Sequence, residues 1–202
     1  DVLRFLEIDA TGTHKVNGPH QVQVLDAGRG NIWNDDDDDG PSMSGPRAVG
    51  ASLVVVYRSP DSNASMKAVV IYDGGVTKRS LETFAQTIQG FYQPTANPSA
   101  KMTHIVGDGQ WLFSEKVRIN GQLIANGTNP FVGANGPRWD NKTFNLADSA
   151  LRPYPELTTV SVVPNGLPDC LSWSAIIVSA NVQDTDNDGL LDMWESWASP
   201  IV

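Results

Sequence analysis

Short apolar runs, each closed by Gly, Pro, Asn or Asp, recur along the whole chain. They cover residues 21–25, 51–57, 67–72, 103–106, Glu115–Ile119, 158–163 and 174–178. Each has strand length and is rich in Val, Ile, Thr or aromatics. Strands at this spacing, with turn residues between them, predict an all-β fold, an antiparallel β-sandwich of jelly-roll type. Residues 53–57 (LVVVY) and 68–72 (AVVIY) are apolar at every position, which predicts two central strands joined by the polar turn 59–65. Asn120-Gly121 and Asn165-Gly166 predict tight turns. Residues 80–92 fit two patterns. Leu81, Phe84, Ala85 and Ile88 make a helical stripe, while Thr83 and Thr87 favour a strand. The all-β surroundings favour the strand.

The pattern changes after Val182. An acidic loop follows, then a short amphipathic helix in which Leu190, Trp194 and Trp197 share a face at i, i+4 and i+7. The expected division is therefore a sandwich over 1–182 and a loop with its helix over 183–202. A chain of 202 residues suits one well-buried core with a small appendage.

The loop carries the sharpest chemical signal. Counted from Asp184, carboxylates fall at positions 1, 3, 5, 9 and 12 as Asp184, Asp186, Asp188, Asp192 and Glu195, and Gly189 sits at 6. This is the ligand spacing of an EF-hand loop. Three Asp residues line the inside of a tight curve, and Gly189 permits the positive φ that reverses it. Leu190 at position 7 offers its carbonyl, Asp192 binds directly or through water, and Glu195 reaches back from the helix as a bidentate ligand. Leu191 at position 8 anchors the loop to the core. Five carboxylates in twelve residues repel one another, so closure calls for a cation. Calcium fits such a flexible all-oxygen set better than magnesium, which demands octahedral geometry and keeps its waters.

An EF-hand has a helix before its loop, whereas residues 174–182 read as a strand. The loop instead resembles the calcium loops of dockerin modules and thrombospondin type 3 repeats. Its wording, DTDNDGLLDMWE, is similar to loops that follow β-sandwich domains in large bacterial and archaeal surface proteins. The stretches GASLVVVY, AVVIYDGG and HIVGDGQ are loosely similar to surface-protein domains of unknown function. The resemblance implies an extracellular or cell-surface setting, where millimolar calcium keeps such a site filled.

Charge narrows the partners. A net charge of -9 and a pI near 4.6 argue against nucleic acid, which needs clustered Lys and Arg. No apolar run approaches the ~20 residues of a membrane-spanning helix. The chain opens at Asp1 with neither an initiator Met nor a signal-peptide pattern, which reads as a processed form or a fragment. Cys170 is the single cysteine, so no intrachain disulfide forms.

Weaker motifs have plain alternatives. Five successive Asp residues, from Asp35 through Asp39 and followed by Gly40, contain a second DxDxDG. Its twelfth position is Pro46, so either a solvated loop or a partial cation site fits. Asn63, Asn126 and Asn141 begin sequons in predicted turns, a pattern that glycosylation or chance explains. His14, His20 and His104 have no metal-ligand spacing, residues 40–44 lack the final Gly of a nucleophile elbow, and Cys170 reads as a small buried side chain. No catalytic residue emerges, although paired carboxylates of the glycosidase kind cannot be read from sequence. Trp33, Trp111 and Trp139 lie near predicted loops, where aromatics either stack on sugars or plug the ends of a sandwich.

The expected function is a non-catalytic, calcium-binding structural module of a cell-surface or filament-forming protein. Calcium would stiffen its C-terminal connection or a contact with neighbouring domains. Self-association is a further expectation, through the strand-like residues 2–8 added to a neighbour's sheet edge. The alternative is a carbohydrate-binding module, accessory to a secreted hydrolase, with glycans as partners.

Overall fold

The computed structural model describes residues 50–197, apart from 58, 60, 62–63, 91–97, 126–129, 136–138, 147, 152–156, 165, 168 and 187. The chain divides into two units, Asp1–Ala51 and Ser52–Val202. The predicted strand 21–25, the lending segment 2–8, Asp35 to Asp39, His14, His20, Trp33 and the sequons at Asn63 and Asn126 lie outside the described residues.

The second unit is an all-β sandwich. Its strands are β1 (Lys67–Lys78), β2 (Phe84–Gln89), β3 (Ala100–Gly107), β4 (Glu115–Ile119), β5 (Gln122–Ala125), β6 (Trp139–Leu146), β7 (Leu157–Pro164) and β8 (Leu171–Asn181). Two short helices, α1 (Asp148–Leu151) and α2 (Asp192–Trp197), complete the described elements. Pairing is antiparallel throughout. It joins β1 to β8, β2 to β7, β3 to β6 and β4 to β5. That nesting is one long hairpin rolled on itself, and the contacts β3–β8 and β4–β7 knit it into sheets ordered β1-β8-β3-β6 and β2-β7-β4-β5. Eight strands wound this way form a jelly roll.

The tight end of the hairpin is written locally. Asn120 and Gly121 both take positive φ, 47° and 82°, the conformation of a two-residue turn whose twist matches its flanking strands. Inward positions alternate along β4, where Glu115, Val117 and Ile119 are buried. On β8 the alternation slips. Leu171 and Trp173 face inward, then Ile176, Val178 and Ala180, because the register against β3 skips a residue at Ile105/Val106. One inserted residue in a strand produces this change of face. The two sheets meet through these side chains, with Phe84 of β2 stacked on Trp173 of β8 at 4.2 Å between centroids.

His104 sits in this core, fully buried against Phe131, Phe144 and Trp173. The Trp173 indole N–H donates to its Nδ1 at 3.0 Å. An indole nitrogen only donates, so Nδ1 is the acceptor and the neutral ring carries its proton on Nε2.

Three expectations change. Residues 53–57 form no strand, and Leu53 and Tyr57 are 62% and 80% exposed. The 68–72 run does form part of β1, but β1 is an edge strand, and its Val69 and Ile71 face outward. A wholly apolar run marks strand propensity on both faces; pairing partners alone decide whether it is central. Asn141 lies on edge strand β6 instead of in a turn, exposed, with its main-chain N–H bonded to Asn135 Oδ1 at 2.8 Å. Residues 84–89 are a strand, as the β context favours.

Candidate metal site

The last strand delivers the chain to the acidic loop at a fixed point. Asn181 N–H bonds Ser99 O at 2.9 Å, and Val182 N–H bonds Met66 O at 3.1 Å. The loop is then closed by a main-chain bond of 3.0 Å from Asp192 N–H to Gln183 O. Leu191 is buried and pins the closed loop, the role expected of position 8. Leu190 and Trp194 instead stand about half-exposed, so the face expected to dock α2 is not made by those two residues. Leu191, just before the six-residue α2, is the buried anchor among the described side chains here.

Asp184, Asp186 and Asp188 place a carboxylate oxygen each within 4.8 Å of the others, an arrangement that could hold a metal ion. Main-chain N–H groups orient them. Gly189 donates to Asp184 Oδ2 at 3.0 Å, Leu190 to Asp188 Oδ1 at 2.8 Å and Asp188 to Asp186 Oδ1 at 3.3 Å. The other oxygen of Asp184, Oδ1, is buried without a hydrogen-bond partner, as a ligand atom awaiting a cation would be. Glu195 belongs to the same field. The charge of Asp186 first, then slight desolvation and the charges of Asp188, Asp192 and Asp184, raise its pKa. Such mutual repulsion is relieved when a dication enters.

Asp192 is placed differently from the other acids. Its Oδ1 accepts the Thr185 N–H at 2.7 Å and its Oδ2 the Thr185 hydroxyl at 2.6 Å. It braces the two ends of the loop while Thr185 holds it. Gly189 has φ of +95°, and nothing lies within 4 Å of where a Cβ would stand. Gly189→Ala is therefore expected to act through backbone strain alone. It should destabilise the metal-free protein by about 1 kcal/mol, measured by urea unfolding. No loss would show that the turn accepts an L-residue.

The other candidates are spread out. Trp111 is 76% exposed on the turn closed by Phe113 N–H to Gln110 O. Trp139 is buried at the start of β6, its Nε1–H bonded to Ser52 Oγ at 3.0 Å, so it offers no stacking face. Cys170 is half-buried against the Ser80 hydroxyl. A groove of about 470 Å³ opens between β5 and β6, lined by residues such as Ile124, Lys142, Thr143 and Asn145, with no carboxylate among its described lining.

Sequence reasoning missed a second group of charged residues. Lys78, Glu115 and Asp169 are 2%, 0% and 3% exposed at one end of the sandwich. Burial lowers the pKa of Lys78, raises that of Glu115 and pushes Asp169 up to about 7, where Asp108 and Glu115 add to the effect. The three come from β1, β4 and the β7–β8 connection, so no local motif unites them. The only hint was Glu115 at an inward position of β4, where the other inward residues are Val117 and Ile119.

No protein-family model and no curated protein matches the chain. Among solved structures it is similar to BuGH86 in complex with neoagarooctaose, at TM-score 0.38 and 10% identity, over 56% of this chain and 19% of that one. It is also similar to dimeric latent PorU from Porphyromonas gingivalis, at TM-score 0.39 and 9% identity, over 61% of this chain and 14% of that one. The chain thus spans less than a fifth of either protein. Likeness of this degree leaves function to be argued from the site.

Proposed function

We propose that the chain is a non-catalytic, extracellular calcium-binding structural module of a cell-surface or filament-forming protein. Its ion would be held by Asp184, Asp186, Asp188, the Leu190 carbonyl and Glu195, with Asp192 bracing the loop or joining through water. The observation that supports this most is the convergence of three Asp oxygens within 4.8 Å, with Asp184 also holding a buried, unpartnered oxygen. Calcium supplies the charge that lets these oxygens stay together. The chain's own residues fix where it acts: the bonds of Asn181, Val182 and Asp192 tie the loop to the last strand, so filling it stiffens the direction in which the polypeptide leaves the sandwich. Titration calorimetry tests this reading. One calcium should bind per chain, and Glu195→Gln should weaken binding sharply. Absence of heat with the wild type at millimolar calcium defeats the proposal.

One observation favours a second reading. Trp111 exposes most of its indole on a loop tip whose neighbour Ser114 N–H is bonded to Leu167 O at 2.6 Å, a held platform of the sort that stacks on pyranose rings. As a carbohydrate-binding module, the protein should be retained by an insoluble polysaccharide, and Trp111→Ala should abolish retention. Equal retention of both would exclude this surface.

A further inference from the structure

Strand β6 is the last strand of its sheet, and only half of its outer edge is covered. The Trp139 carbonyl accepts the Asn135 N–H at 2.9 Å, and the Asn141 N–H bonds Asn135 Oδ1 at 2.8 Å. Both groups point away from β3, which pairs with β6 in unbroken register from Trp139 to Leu146. Main-chain direction alternates along a strand, so the N–H and C=O groups of Thr143 and Asn145 point outward too. Among the described residues none bonds them. Beside this open half lies the groove of about 470 Å³, whose lining includes Ile124, Ala125 and Pro130 together with Phe144 of β6. Free main-chain groups next to an apolar trough are what an added strand occupies.

Residues 53–57 are a strand without a sheet. Leu53, Val54, Val55, Val56 and Tyr57 are each between 40% and 80% exposed, and no strand of the described residues pairs with them. Apolar on both faces, the segment has the pattern of a strand covered on both sides. With no charge and no Pro it has the composition that pairs readily with other strands. Its start is held at the covered half of the same β6 edge, where Ser52 Oγ accepts the Trp139 Nε1–H at 3.0 Å and donates to Asn141 Oδ1.

We propose that two copies of the chain exchange residues 53–57, each adding this segment to the Thr143 and Asn145 edge of the other. Donor and acceptor lie at one edge of one copy, so a two-fold axis beside β6 brings each donor to the other's acceptor, a closed and isologous arrangement. Whichever alternate set of donor side chains enters the groove is apolar. One five-residue strand covers less than the roughly 800 Å² per partner of a stable dimer. Exchange counts twice, because each copy gives a strand and receives one. Neither donor nor acceptor includes a residue of the acidic loop, so the dimer is independent of calcium.

Sedimentation equilibrium of the full chain tests this. The wild type should show a monomer–dimer equilibrium that chelator does not change. Val55→Asp alters an exposed donor position, and Thr143→Pro removes an outward N–H without touching the ladder to β3. Each should raise the dissociation constant roughly tenfold or more. Mixed together, the two variants should associate more tightly than either alone, since one keeps its acceptor and the other its donor. In the wild type itself, hydrogen exchange at the Thr143 and Asn145 amides should slow as concentration rises. A wild type that stays monomeric, or exchange at those amides indifferent to concentration, overturns the inference without either variant. A dimer broken by Phe5→Asp and not by Val55→Asp overturns the donor, and one that Thr143→Pro leaves intact overturns the acceptor.

Discussion

Calcium at about a hundred times its dissociation constant is expected to add roughly 2.7 kcal/mol to the stability of the wild type. For a chain of this size that corresponds to a rise in Tm of roughly 5–10 °C. Metal-free, the loop holds Asp184, Asp186 and Asp188 together against their own repulsion, and Glu195 already feels the charges of all three. A dication turns each repulsive pair into a shared attraction. Because the loop is bonded to the sandwich at Asn181, Val182 and Asp192, binding energy passes to the whole domain and not to a detached tail. Glu195→Gln keeps the shape and removes one charge, so its Tm should scarcely respond to calcium. Scanning calorimetry of both proteins, in calcium and in chelator, is the measurement. Superimposable wild-type scans would refute a stabilising metal.

Acid is expected to destabilise the domain through His104. Complete burial lowers its pKa from 6.5 to about 3. The unfolded chain therefore binds a proton that the folded chain refuses, and the stability this contributes is present above pH 6.5 and lost as pH falls towards 3. The slope is about 1.4 kcal/mol per pH unit. The cause is visible in the packing. Protonation would place a charge among Phe131, Phe144 and Trp173, and would put a second N–H on Nδ1, where the Trp173 indole now donates. His104→Leu removes the titrating group but strands that indole N–H, so at pH 7 it should be destabilised by about 1–3 kcal/mol. Its deficit should shrink as pH falls below 6.5. Urea unfolding of both proteins from pH 7 to 4 measures the gap, and a gap independent of pH would remove His104 as the cause.

Much of the candidate metal site could be read in one dimension because its proposed ligands come from twelve consecutive residues. Spacing alone put three Asp on one curve, and the φ of Gly189 follows from the same pattern. The hairpin at Asn120-Gly121 was equally legible, since both residues tolerate positive φ. Strand β6 was not. Its sequence WDNKTFNL keeps only alternate positions towards the core in its second half, Phe144 and Leu146, and fills the rest with groups that suit a loop as well as an edge. Strand β5 has four residues, too few to show a period.

By itself the sequence determined the strand-forming segments, the tight turn that starts the roll and the acidic loop. Each depends on neighbours within a dozen residues, where side-chain period and backbone preference act. Only the tertiary structure decided which strands are edges, why Leu53 and Tyr57 stay exposed and how Lys78, Glu115 and Asp169 come to share a buried pocket. Those outcomes are set by pairing between residues tens of positions apart, such as Lys78 with Leu171. Such pairings are selected by closure of the whole core, and no local stretch of sequence contains that information.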